Sequence, residues 1–271
     1  ISMIGFEPGM SNFFGGRGYY KLDKCEEMYV FVGGGLPVNP RPPFNYFTTW
    51  SISDNLNQFA QPTTVVRGGK EKIIPALSEV MNFEIEEFKN LECFTSNGLG
   101  SLFRSFKDVP EMAAFTVRWP GLAAQMRFLN QLDLFDKEER KLGKVNQVPR
   151  DILIDIFSKK YEKLPGEVDM SVLKVVVKGT KDNDKVSYTW EIAQKEIPGT
   201  GYTSMAWTTA STCGIFARAM VDGKLSGKGM LSAEQLAKDD NFYDWVMAEQ
   251  AKRGIFYKEK VEILKSVNLW R

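Results

Sequence analysis

The sequence predicts an α+β fold: a mixed, mainly antiparallel sheet with helices on one face over roughly residues 20–198, then a helical segment over 199–271. Three observations predict it. Short β-branched and aromatic runs bounded by Gly, Pro, Asn and Asp recur up to Pro198. Two stretches in between place apolar residues three and four apart, the period of an amphipathic helix. Beyond Pro198 the chain turns to Ala-, Thr- and Ser-rich helical sequence.

In order, Ile1 to Gly9 reads as a strand end and a turn at Glu7-Pro8-Gly9, where Pro8 fixes φ and Gly9 permits reversal. Met10 to Tyr20 is interrupted by glycines and reads as a short helix opened by Ser11 or Asn12. A strand ending in Met28 to Val32 feeds a three-glycine turn at Gly33 to Gly35. Four prolines follow, and then a second strand over Phe44 to Trp50. The loop between these strands reads equally as a structural crossover or a binding loop. Ile52 to Phe59 is a short helix capped by Ser51 or Ser53 and stopped before Pro62. Thr63 to Arg67 and Lys70 to Pro75 form strands around Gly68-Gly69, and Phe88 to Phe94 another. Ser96 or Asn97 caps a short helix through Phe106.

Met112 to Trp119 is an apolar strand with Arg118 near its end. After Pro120-Gly121 a helix carries Leu122, Met126, Leu129 and Leu132 on one face. Residues 136–148 are charged and solvated. Val148 to Leu164 forms a second helix with Pro149 in its first turn and a stripe of Ile152, Leu153, Ile156, Phe157, Tyr161 and Leu164. Val172 to Lys178 and Val186 to Ile192 make a hairpin across Lys181 to Asp184. A long helix over Ser204 to Val221, a helix over Phe242 to Lys252 and a final strand over Phe256 to Ser266 complete the chain.

The 271 residues are 43% hydrophobic and 25% charged, with a formal net charge of +1. That balance carries no electrostatic footprint for nucleic acid or an anionic membrane. No apolar run reaches transmembrane length, and no signal-peptide pattern opens the sequence. The start at Ile1 reads as that of a fragment or processed product. Three scattered cysteines fit a reducing, cytoplasmic setting. No histidine occurs. That excludes Ser-His-Asp and Cys-His catalysis and the HExxH zinc site, and no metal is expected. Proton chemistry here falls to carboxylates, Lys, Tyr or Cys.

Three segments resemble those of a known family. They are Gly34-Gly35-Leu36-Pro37, then Thr116-Val117-Arg118-Trp119-Pro120-Gly121, and Thr203-Ser204-Met205-Ala206 at the start of the long helix. Together with Glu7-Pro8-Gly9 and the Asn97-Gly98-Leu99 turn they are similar to the substrate domain of saccharopine dehydrogenase-like oxidoreductases. That group includes lysine and carboxynorspermidine dehydrogenases. Phe47, Leu122 and Trp207 stand where relatives have lysine, histidine and arginine. The resemblance implies NAD- or NADP-dependent hydride transfer at the CH–NH group of an amino-acid-like or polyamine-like substrate. It also implies a homodimer. On this reading residues 1–19 end a Rossmann-type half that lies before residue 1, residues 20–198 bind substrate and dimerise, and residues 199–271 return to pack on the nucleotide half. The alternative is a non-catalytic binding or assembly module derived from the same fold.

None of the three glycine clusters, at Gly15 to Gly18, Gly33 to Gly35 and Gly199 to Gly201, has the spacing and context of a dinucleotide fingerprint. No cofactor-binding residue is therefore assigned here. The candidate substrate-binding residues are Glu7, Gly35, Leu36, Tyr46, Asn97, Arg118, Thr208 and Thr209. Glu7 is a functional acid at a strand exit or a solvated turn residue. Arg118 forks onto a substrate carboxylate or holds a structural one. Tyr46 walls a pocket or fills the core. The two threonines offer hydroxyls or cap their helix. The expected pocket lies among these segments, between the Gly35-Leu36-Pro37 loop, the Asn97-Gly98 turn and Arg118.

Overall fold

A computed structural model describes residues 1–86, 88–225 and 229–264. The first half runs α1 (Met10–Lys21), β1 (Lys24–Pro37), α2 (Ile52–Ala60), β2 (Thr63–Arg67), β3 (Lys70–Ile74), β4 (Met81–Ile85) and β5 (Phe88–Ser96). Then come α3 (Leu102–Ser105), β6 (Glu111–Arg118), α4 (Leu122–Gln131), a small hairpin of β7 (Arg140–Leu142) and β8 (Val145–Gln147), and α5 (Pro149–Lys160). The chain continues through β9 (Asp169–Lys181), β10 (Asp184–Lys195), α6 (Ser204–Val221), α7 (Ala233–Leu236), α8 (Asp240–Ala251) and β11 (Lys258–Leu264).

Nine strands form one mixed sheet in the order β11-β10-β9-β1-β6-β2-β3, with β5 also pairing β6 and β4 outside β5. The β1–β6 pair is parallel, and every other pair in the sheet is antiparallel. The fold is the expected α+β sheet with helices on one face. Its longest hairpin, β9–β10, closes through Asp182 and Asn183, both at positive φ (50° and 68°). That turn matches the right-handed strand twist, and Asp and Asn tolerate it.

The helical face is built by period-two alternation. Met28 and Val30 of β1, Leu173, Val175 and Val177 of β9, and Val186, Tyr188 and Trp190 of β10 all point to it. There they meet Phe13 and Phe14 of α1, Ile215 and Phe216 of α6, and Tyr243 and Val246 of α8. Phe14 stacks on Trp190 at 5.4 Å, and Phe13 on Tyr243 at 5.6 Å. Each fully buried phenylalanine contributes about 1.5–3 kcal/mol, which fastens α1 to the sheet. A separate cluster joins α2, α4 and α5 through Leu56, Phe59, Met126, Leu153 and Phe157, and Phe94 of β5 anchors it to the same sheet face. The opposite face carries Tyr29 and Phe31 among ion pairs: Lys178 to Glu27 at 2.8 Å and Lys174 to Glu191 at 3.3 Å.

Several local expectations change. Gly33 to Gly35 is not a turn but part of β1, which continues to Pro37 with a one-residue bulge between Gly33 and Leu36. Phe44 to Trp50 is not a strand. β6 and β9 take both edges of β1 over residues 27–32, and beyond them this segment makes one ladder-like bond to β1, from Phe47 N to Gly35 O at 2.8 Å. Gly15 to Gly18 lie inside α1, whose N-cap position is Gly9 rather than Ser11 or Asn12. Ser101, not Ser96 or Asn97, precedes the short helix α3. Leu132 and Leu164 are exposed, because α4 and α5 stop at Gln131 and Lys160, and Ile156 is exposed within α5, whose buried side carries Leu153 and Phe157. Strand β4 was not expected, and Ser266 of the last expected strand lies outside the described residues.

Candidate functional site

A cavity of about 400 Å³ opens on the helical face between the α1–α6–α8 group and the α2–α4–α5 group. Its floor is the parallel pair: Val32 of β1 sits beside Thr116 of β6, and Arg118 lies one alternation further along. Gly33 and Gly34 continue the floor, Met205, Ala206 and Thr209 of α6 form one wall, and Thr49, Trp50 and Gln58 form the other. Glu7 closes the end.

Local sequence explains how each group is held. Gly5 and Gly9 bridge across the Glu7 turn, with Gly5 N bonded to Pro8 O at 2.9 Å. Helix α6 begins at the cavity because Asp169, at the start of β9, holds its first residue. The Asp169 carboxylate accepts from Ser204 N at 3.1 Å and from the Ser204 hydroxyl at 2.6 Å. Thr203 caps the helix by accepting from Ala206 N at 3.2 Å. The Met205 side chain of α6 lies over the bare Gly34 backbone, where a Cβ would sit 2.2 Å from its methyl carbon and push that side chain aside.

Arg118 is 3% exposed. Its Nη1 donates to Val117 O at 2.7 Å and its Nη2 to Gln58 Oε1 at 3.4 Å, while Nε has no partner. The guanidinium lies 4.9 Å from the centre of the Tyr46 ring. Burial disfavours its charge, and Tyr46 and Glu7 partly offset that. Tyr46 is fixed in turn by the Asn55 amide, which donates to its hydroxyl. Glu7 Oε1 has no hydrogen-bond partner. Burial pushes the Glu7 carboxyl up to about 8, with the Arg118 charge pulling the other way. Glu7 is half-buried as a whole, open to the cavity on one side, while its carboxyl lies deep in the fold. The result is one buried cation with a spare donor and one carboxyl with a spare oxygen, set among apolar walls. Such a site suits a small zwitterion with an aliphatic body.

A model of the saccharopine dehydrogenase C-terminal domain matches residues 5–255. The chain belongs to this family. The fold also matches apo histidine-tagged saccharopine dehydrogenase (L-Glu forming) from Saccharomyces cerevisiae, with a TM-score of 0.78 and 18% identity, over 96% of this chain and 73% of that one. At that identity the likeness is one of fold. The chain is thus a saccharopine dehydrogenase-like C-terminal domain, of dehydrogenase lineage.

Within this domain the candidate residues separate. Glu7, Arg118 and Thr209 line the cavity, and Tyr46 stands behind Arg118. Asn97 lies in a smaller adjoining cavity, with its side chain bonded to Thr64 N at 2.9 Å and Pro62 O at 2.8 Å. Gly35 and Leu36 are not at the site. The bulge turns Leu36 to the far face, where it is buried with Met170 and Val172. Thr208 is fully buried, and its hydroxyl donates back to Ser204 O at 2.9 Å. The residues not anticipated are Val32, Gly33, Gly34, Thr49, Trp50, Gln58, Thr116, Met205 and Ala206. Two carried a signal: Thr116 shares the strand face of Arg118, and Gln58 lies three residues from Asn55 on α2.

The described residues do not fit a dinucleotide. A pyrophosphate needs free backbone amides at a glycine turn. Gly33 and Gly34 are in mid-strand. A Cβ on Gly16 would lie 2.2 Å from Glu234 O, and one on Gly18 2.6 Å from Val177 Cβ, so those glycines serve packing. At α6 the amides of Ser204 and Ala206 are already taken by Asp169 and Thr203. Among the described residues no three His, Cys, Asp or Glu side chains come together as metal ligands. Burial pushes the Cys25 and Cys93 thiols up to about 12, away from nucleophilic use. No described helix is long and apolar enough to cross a membrane.

Proposed function

We propose that this chain is the substrate-binding part of an NAD- or NADP-dependent oxidoreductase acting on the CH–NH group of an amino-acid-like or polyamine-like small molecule. The observation that carries the reading is Arg118: a buried guanidinium lining a cavity of ligand size, its Nη2 held only by Gln58 at 3.4 Å. Its fork suits a carboxylate. Val32, Trp50 and Met205 suit an aliphatic stem, and Glu7 suits the nitrogen. The dinucleotide supplies the redox chemistry, and a nucleotide-binding unit other than the described residues holds it. The exposed stripe of Ala206, Ala210, Gly214 and Ala217 along α6 is where that unit would pack. The sheet face bearing Tyr29 and Phe31 is where a second copy would sit; a purely monomeric species in sedimentation at micromolar concentration would contradict that.

The losses of polarity at Phe47, Leu122 and Trp207 do not strip this cavity. Phe47 and Leu122 are buried in packing, and the Trp207 indole donates to Arg253 O at 3.0 Å. They therefore give the non-catalytic alternative no support. The test is reduction of NAD+ or NADP+ by the intact protein with a panel of aliphatic amino acids and polyamines. Turnover of at least one amine, and not of the matching alcohol, is expected. Ligand binding with no turnover across the panel would favour the binding-module reading.

A further inference from the structure

Glu7 lines two cavities at once. Beyond the main one lies an annex of about 110 Å³, walled by Asn57, Gln58, Gln61, Thr63, Ser96 and Gly98. The two differ in character. The main cavity is largely apolar, whereas the annex presents amides and hydroxyls and has room for a few waters. Glu7 Oε1 and Ser96 Oγ, both at the annex, are buried without hydrogen-bond partners. The carboxyl rests directly on Gly98: a Cβ there would lie 2.1 Å from Oε1 and 3.0 Å from Ala114 Cβ. Only glycine leaves that seat open.

The geometry points to Glu7 as the catalytic proton carrier of this site, passing protons between a substrate amine in the main cavity and solvent through water in the annex. This rests on the amine-oxidising reading above. A protonated nitrogen has no lone pair with which to form C=N, so it must be deprotonated first. The substrate N–H bond breaks, its electron pair stays on nitrogen, and an O–H bond forms on Glu7. The carboxyl then gives that proton to annex water and returns to carboxylate. No oxidant is consumed in either step. The one charged group facing Glu7 among the cavity-lining residues is Arg118 of β6. The facing residues of α2, β2, β5 and α6 are uncharged. Titration near 8 suits a proton carrier working close to neutrality.

The test takes the intact protein with the amine found above and compares Glu7→Gln and Glu7→Asp. Glu7→Gln should lower kcat by about 100-fold or more and abolish the rise of kcat/KM through about pH 8. Glu7→Asp should restore part of the rate. Unchanged kcat and pH profile in Glu7→Gln would overturn the assignment while leaving the amine reading intact. If Glu7→Gln fails to fold, carbon-13 NMR of glutamate-labelled protein decides, with Glu7 assigned from Glu7→Asp. A carboxyl midpoint near 8 supports the proposal, and one in the ordinary carboxylate range overturns it. Absence of any amine turnover would sink the amine reading and this inference together, whatever the NMR midpoint.

Discussion

Replacing Arg118 by lysine keeps the charge and removes the fork. In the native site Nη1 is spent on Val117 O at 2.7 Å and Nη2 is loosely held by Gln58 at 3.4 Å. Nη2 is therefore the donor left to bind a carboxylate in the cavity, while Nε lies buried without a partner. A lysine reaching into the same place offers its charge along one direction. The loss is one charge-assisted hydrogen bond, ~1.5–3 kcal/mol, or about tenfold to hundredfold in affinity. The assay compares KM for an amine bearing a carboxylate with KM for the same amine lacking it. The first should rise by about that factor and the second should not move, with circular dichroism unchanged. An equal effect on both substrates, or unfolding, would make Arg118 a structural residue and refute the reasoning.

Other outcomes follow from neighbouring contacts. Asp169→Ala leaves the Ser204 amide buried without its acceptor, while the Ser204 hydroxyl keeps Ser171 Oγ at 2.8 Å, so stability in denaturant titration should fall by ~1–3 kcal/mol; a loss under about 0.5 kcal/mol would show that α6 is held otherwise. Glu249 is surrounded by Lys252 at 2.6 Å, Arg253 at 2.9 Å and Arg218 at 3.5 Å, which hold its carboxyl down at about 2 against an ordinary 4.5. Its stabilisation is present above the ordinary value and lost as pH falls towards 2, so the melting temperatures of wild type and Glu249→Gln should converge in that window. Glu7 runs the other way: its raised carboxyl costs stability as pH climbs from 4.5 towards 8. Glu7→Gln should therefore melt higher than wild type in mild alkali, with no gain below the lower value; a gain independent of pH would contradict this.

Much of this fold could be read from local chemistry. The β9–β10 hairpin was legible because Asp182 and Asn183 suit positive φ and β-branched residues flank them. Helix α2 was legible from Ser51, which accepts from Asp54 N as an N-cap. What escaped depends on partners distant in sequence. Gly33 and Gly34 look like a turn, but they are bare so that Val117 O and the Met205 methyl can approach. Phe44 to Trp50 looks like a strand, but it makes a single backbone bond to β1, from Phe47 N to Gly35 O. The site follows the same division. Glu7 is marked in the sequence by its place at a strand exit beside Pro8-Gly9, and Arg118 by its place near a strand end beside Pro120. Leu36 was misplaced because one bulge residue reverses the side-chain parity of β1. Val32, Met205 and Trp50 look like ordinary core residues until three separate elements bring them around one cavity.

The most direct measurement is a crystal structure of the protein with a short aliphatic amino acid bound. The ligand should lie in the cavity over Val32 and Thr116, its carboxylate on the Arg118 guanidinium and its nitrogen within hydrogen-bond reach of Glu7. A ligand bound elsewhere, or one in this cavity whose carboxylate does not touch Arg118, would contradict the assignment of the site.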